Sequence, residues 1–136
     1  MEQREQREQA AFDPKALALA YIDAVSQKQF ERVSALLHPD LIFELADITH
    51  DKQDYIAALQ RLGPILRRND VKKVFVDGDD VCVIYDFVTD TAVGSVPSIE
   101  WLVVADGQIR SVRLIFERQR WPEVLEELGR RAGVAA

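Results

Sequence analysis

Near residue 70 the apolar pattern of this chain changes period. Upstream, three sets recur at the spacing of one helix face: Leu17, Ala20, Tyr21, Ala24 and Val25; Phe30, Val33, Leu36 and Leu37; Tyr55, Ile56, Leu59, Leu62 and Leu66. Downstream, "VKKVFV", "VCVIYDFVTD", "SIEWLVVA" and "QIRSVRLIFER" are rich in β-branched and aromatic residues that alternate, as strands do. The punctuation agrees. Asp13-Pro14 starts a helix with an N-cap acid and a first-turn proline. "SQKQ" breaks that helix, and His38-Pro39-Asp40 ends the second before a short strand, "LIFELA". Asp51 or Asp54 caps the third helix, and Gly63-Pro64 kinks or frays its end. Asp77-Gly78 turns between the first two alternating runs, a looser loop surrounds Gly94 and Pro97, and Asp106-Gly107 is a two-residue hairpin signal. Trp121-Pro122 opens a last short helix. Helices gathered ahead of an antiparallel sheet predict an α+β domain, not a βαβ one. The domain is expected over residues 13–131, between a mobile tail at 1–12 containing "MEQREQREQ" and a tail at 132–136.

Charge and composition narrow the function classes. The 136 residues carry 23 acids against 17 bases, a net charge of −6 with no basic block, which suits neither nucleic acid phosphates nor an anionic membrane surface. At 48% hydrophobic the chain is long and apolar enough for a real core. No stretch reaches transmembrane length and no signal-peptide core opens the chain, so a cytoplasmic protein is expected. Cys82, the single cysteine, has no disulfide partner in the chain and reads as a small buried hydrophobe. His38 and His50 are the only histidines and stand apart from any acid cluster, so no metal site is expected. Gly78, Gly94 and Gly107 are isolated in turns, so there is no phosphate loop, and no cofactor is expected.

One residue stands out within this pattern. In "VCVIYDFVTD", Val81, Val83, Tyr85 and Phe87 share one face, while Cys82, Ile84, Asp86 and Val88 share the other. Both faces are largely apolar, so both are expected to be covered, and Asp86 is an acid on an apolar face.

The chain resembles the nuclear transport factor 2-like superfamily, which includes ketosteroid isomerases, limonene epoxide hydrolases, SnoaL-like polyketide cyclases and scytalone dehydratases. The likeness covers about residues 13–120 and rests on "ALAYIDAVSQKQFERVSALLHPDLIFE", "DYIAALQRL" and "ADGQIRSVRL". It implies a strongly bent sheet wrapped around the N-terminal helices as a cone. The cavity would then be faced by Leu45, by Ile84, Asp86 and Val88, by Ile99, Trp101 and Val103, and by Val112, Leu114 and Phe116, with Tyr21 entering from the first helix. Glu44 and Glu100 would point the other way. The opposite face, carrying Val83, Tyr85 and Phe87, would form the homodimer contact common in this superfamily.

On that frame Asp86 has two readings. As a carboxylate in a dry pocket it is a general acid or base of raised pKa. As a residue of the open mouth it is solvated or paired with Arg110. The superfamily's chemistries do not transfer whole. An isomerase base would fall on Leu45, unless a two-residue register change brings Asp47 there, and its second acid would fall on Trp101; the arginine of the epoxide hydrolases falls on Ile84. His50 could reach the rim, and His38 reads as a helix cap. The expectation is a cavity that binds a small hydrophobic molecule. The alternative is a SnoaL-like enzyme, an isomerase, dehydratase, cyclase or hydrolase, using Asp86 and Tyr21 for acid–base chemistry.

Overall fold

The computed structural model describes residues 13–133, so the tail at 1–12 and most of that at 132–136 lie outside the described residues. Helix α1 (Pro14–Ser26) is capped by Asp13, whose side chain accepts from the Ala16 N–H at 3.3 Å. It turns Leu17, Ala18, Tyr21, Ile22, Ala24 and Val25 inward. There follow α2 (Phe30–Leu36), β1 (Leu37–Leu45), β2 (Ile48–Asp51), α3 (Lys52–Leu62), a 3-10 turn (Gly63–Ile65), β3 (Leu66–Asp77), β4 (Asp80–Thr89), β5 (Ser95–Ala105), β6 (Gln108–Phe116) and α4 (Trp121–Arg131).

The strands form one six-stranded sheet in the order β2-β1-β6-β5-β4-β3. All neighbours are antiparallel except β1 and β6, which run parallel, so the sheet is mixed and not purely antiparallel. The α+β class and the cone, with helices against one face of the sheet, agree with the sequence reading. Three local features differ from it. α2 ends just before His38-Pro39-Asp40, as expected, but the tripeptide itself lies inside β1, where pairing with β6 shifts between Leu37 and Ile42, the kind of irregularity that tolerates a strand proline. The segment carrying His50 is a short strand, β2, and β3 begins five residues before "VKKVFV".

The largest difference concerns which side of the sheet faces in. Val81, Val83 and Tyr85 of β4, and Val96, Ser98, Glu100, Leu102 and Val104 of β5, are buried. Ile99 and Trp101 are exposed on the other side, as are Ile42 of β1 and Ile115 of β6. The expectation that Ile84, Asp86, Ile99, Trp101 and Val103 face the cavity, with Val83, Tyr85 and Phe87 outside, is therefore reversed; Val88 does not line the cavity either. Alternation fixes which residues share a face but not which face turns in. In β4 both are apolar. In β5 the side carrying Ile99, Trp101 and Val103 is the more apolar in sequence, and it is the one left outside.

Candidate functional site

A cavity of about 140 Å³ lies between the helices and the inner face of the sheet. Its wall is mostly apolar, with Val25 from α1, Leu59 and Leu62 from α3, Phe87 from β4 and Val96 from β5. Trp121, the first residue of α4, closes one side, its ring edge-on to Phe116 and Phe87 with centroids 4.9 and 6.0 Å away. Of the cavity residues expected from the sequence, Tyr21, Leu45, Leu114 and Phe116 line it, and Val112 is buried in the adjoining core.

The main polar cluster of the cavity is one acid and three phenols, with His50, Asn69 and Ser98 as further polar residues of the wall. The chain has three tyrosines, and all of them converge on Glu100, which is 3% exposed. Tyr21 comes from the inward stripe of α1, Tyr55 is the buried residue of α3, and Tyr85 lies on β4 beside β5. Tyr21 Oη donates to Glu100 Oε1 at 2.8 Å, and Tyr85 Oη donates to Oε2 at 2.5 Å. Tyr21 and Tyr55 share a further short hydrogen bond. While Glu100 is ionised, Tyr21 spends its only proton on it and Tyr55 is the donor of that bond. Phe43 stacks on Tyr55 with centroids 4.1 Å apart and also faces His50, which lines the cavity from β2.

Burial pushes the Glu100 carboxyl above the usual carboxylate range, while the bonds from Tyr85 and Tyr21 act in the opposite sense. All three phenols are pushed well above their ordinary value, first by burial and then by the nearby Glu100 charge, so they remain protonated donors. Among the described residues no lysine or arginine lines this cavity. The network has two polarities. With Glu100 ionised, hydrogen bonds run Tyr55 to Tyr21 to Glu100, and the Tyr55 oxygen retains only accepting capacity. With Glu100 protonated, its proton can be given to Tyr21, Tyr21 gives to Tyr55, and Tyr55 becomes a donor toward the cavity. The arrangement can therefore hold a polar oxygen and pass a proton to or from it.

Asp86, the acid singled out by sequence, is not at this site. It lies on the outer face between Asp70 and Pro97 of the neighbouring strands, with Lys72 Nζ 3.8 Å from its carboxylate. Arg110, considered as its partner, instead donates to the Asp40 carbonyl. Trp101 is half-exposed and its indole N–H donates to Asp80 Oδ1 at 2.7 Å. Glu44 pairs with Arg113 on the outer face at 3.0 Å. His38 Nδ1 accepts from the Asp40 N–H at 3.0 Å within β1 and caps no helix. The residues that sequence reasoning missed are Glu100, Tyr55, Tyr85 and Asn69. The signal for the first three was available: three tyrosines at apolar positions each need a hydroxyl partner when buried, and "SIEWLVVA" offers one acid to serve them.

Among the described residues no cluster of three or more His, Cys, Asp or Glu side chains is placed to hold a metal ion, and no helix is long and apolar enough to cross a membrane.

A curved sheet closed over helices, with a cavity between them, defines the nuclear transport factor 2-like class. Residues 18–112 match the model of the SnoaL-like domain, and the chain belongs to that family. Solved structures of the same fold include a protein from Kribbella flavida DSM 17836, 26% identical, with 82% of this chain and 92% of that chain covered and a TM-score of 0.73. A candidate SnoaL-like polyketide cyclase from Shewanella denitrificans OS-217 is 18% identical, with 84% and 97% covered and a TM-score of 0.69. A candidate ketosteroid isomerase, also from Kribbella flavida DSM 17836, is 24% identical, with 76% and 77% covered and a TM-score of 0.66. No curated protein matches the chain in sequence.

Proposed function

We propose that this protein binds a small, mainly apolar molecule in the cavity and orients it by a polar oxygen held at the tyrosine cluster. The observation that carries this reading is Glu100, a buried acid whose two oxygens are each held by a tyrosine in a mainly apolar enclosure. A purely structural core rarely takes up such an acid, because burial penalises its charge. The cavity, about 140 Å³, compares with engineered apolar cavities of about 150 Å³ that take up benzene, so a molecule of one ring is the fitting size. The test is calorimetric titration of the protein with 4-ethylphenol. Saturable binding at one site, weakened in Tyr55→Phe, supports the reading; no saturable binding up to millimolar concentration rejects it.

A second reading, proton transfer on the bound molecule, is favoured by the continuous chain from Glu100 through Tyr21 to Tyr55. In it Tyr55 gives its proton to the ligand oxygen, Tyr21 replaces that proton, and Glu100 replaces the one from Tyr21. Enolisation of a small cyclic ketone is the simplest chemistry of this type: as the ketone oxygen takes the Tyr55 proton, the α-carbon gives its proton to the imidazole of His50 in the cavity wall, and the C–H electron pair becomes the new C=C bond. Deuterium uptake from solvent at the α-carbons of cyclohexanone, followed by NMR, checks it. Exchange that persists undiminished in Glu100→Gln excludes it.

The outer sheet face is proposed to pair with a second copy of the chain. It exposes Ile42, Ile99, Trp101 and Ile115, and the row containing Trp101 also carries Arg113 and Glu44. A face with both charge signs on one row is self-complementary under a two-fold axis, since each copy can meet acid with base.

A further inference from the structure

The cavity has a second polar position away from the tyrosines. Strand β3 brings Asn69 to its wall opposite Phe87 of β4. Two of its three N–H donors are used on α1. Its backbone N–H donates to Ser26 Oγ at 2.9 Å, and Nδ2 donates to the Ile22 carbonyl at 3.3 Å. The second bond fixes which terminal atom is the oxygen, since only the amide nitrogen can donate to a carbonyl. That leaves Oδ1, which is buried and which no donor among the described residues reaches. Its neighbours in the wall, Val25 and Phe87, have no polar side-chain atom to offer. A buried acceptor without a donor is unfavourable, and its pairing by an incoming group is a gain that an apolar contact cannot replace.

We propose that the ligand is a compact ring with polar groups at opposite ends: an oxygen for Tyr55, and a hydrogen-bond donor, hydroxyl or N–H, for Asn69 Oδ1. This rests on the cavity-binding reading above and names the class of molecule it takes. A compact ligand is inferred from how near the two anchors lie along α1. Asn69 is tied to Ile22 and Ser26, and Val25 stands on α1 about one helical turn, roughly 5.4 Å, beyond Tyr21. A hydrocarbon or a ring with one polar group leaves one end unpaired. Rejection of analogues that lack a partner for a buried polar group is the stronger form of specificity open to such a site.

The test uses two probes of nearly equal shape, 4-hydroxybenzyl alcohol and 4-ethylphenol, which differ in one end: a primary hydroxyl replaces a methyl. Titration calorimetry of the unaltered protein is expected to show the alcohol bound about tenfold more tightly, although its extra hydroxyl is the more costly group to desolvate. The preference is expected to vanish in Asn69→Leu. Equal or tighter binding of 4-ethylphenol by the unaltered protein overturns the proposal while leaving cavity binding in place. It is equally overturned by a preference that survives in folded Asn69→Leu. Binding of neither probe removes the cavity reading and this one with it. Should Asn69→Leu not fold, the comparison on the unaltered protein decides alone.

Discussion

Tyr85 donates a 2.5 Å hydrogen bond to Glu100 although the two are not cross-strand partners: Tyr85 stands opposite Ser98, and Glu100 opposite Val83. The contact is diagonal across β4 and β5, within the reach of long side chains on one face of a sheet. It leaves the other carboxylate oxygen free for Tyr21 from α1. Sheet and helix are thus joined through one acid, and the acid's protonation is joined to the stability of the fold.

The sign of that coupling follows from burial. The folded value of Glu100 is raised above the unfolded one, near 4.3 for a free glutamate. Its contribution is fully present below the unfolded value and is lost as pH rises through the folded one, with about 1.4 kcal/mol at stake for each unit between them. Glu100→Gln, which cannot ionise, is expected to gain stability relative to the unaltered protein as pH rises from 4 toward 8. Denaturant unfolding of both across that range checks it. A difference that stays flat, or moves the other way, contradicts a raised carboxyl.

Tyr85→Phe keeps the ring and removes only the hydroxyl. The lost bond is to a buried carboxyl group, so a destabilisation of about 1.5–3 kcal/mol is expected. Tyr55→Phe removes a bond between neutral phenols and is expected to cost less, about 0.5–1.5 kcal/mol. The order of the two midpoints in urea is the readout, and a larger loss for Tyr55→Phe would contradict the assigned donor chain.

These residues explain what the sequence made legible and what it did not. Asp13-Pro14 marks the start of α1 because a cap and a proline act locally. Asp106-Gly107 marks the β5–β6 turn because both residues take positive φ, 57° and 74°, which this pair favours. Strand β2 carried no such signal: "ITHD" is mostly exposed and becomes a strand by pairing with the edge of β1. The site was hidden for a different reason. Glu100 is interior because Tyr21 and Tyr85 satisfy it, and they come from positions 79 and 15 residues away in sequence. The sheet face that the resemblance assigned to the cavity therefore left Glu100 outside and put Asp86 in its stead.

Asp86→Asn tests that exchange of roles. The Asp86 side chain is 29% exposed and its nearest base, Lys72, is 3.8 Å away and itself 56% exposed. Such a pair contributes little, and the variant is expected to stay within about 0.5 kcal/mol of the unaltered protein at neutral pH. A change of 2 kcal/mol or more, roughly the range of a broken buried network, would restore Asp86 as a buried acid.

The two tryptophans lie on opposite sides of the sheet and are separable reporters. Trp121 lines the cavity against Phe116 and Phe87, and Trp101 lies on the outer face. Quenching of tryptophan emission by an apolar cavity ligand is expected to survive Trp101→Phe and to be lost in Trp121→Phe. The reverse result would place the ligand on the outer face.

The outer face carries the last prediction. Val83 and Tyr85 are buried within the chain's own core, so replacing Tyr85 by Glu disrupts folding before it can report on assembly. Ile115, 62% exposed, and Trp101, 48% exposed, are the informative positions. A monomer would leave them, with Ile42 and Ile99, as several large apolar side chains exposed on one sheet face, of the kind that marks an interaction surface. In a two-fold pair a glutamate at position 115 would be desolvated without an assured partner and meet its symmetry-related copy near the axis, which disfavours association. Ile115→Glu is therefore expected to sediment as a folded monomer, its unfolding midpoint concentration-independent, while the unaltered protein sediments as a dimer at micromolar concentration. An unaltered protein that sediments as a monomer there would leave the patch without a second copy to cover it and defeat the pairing.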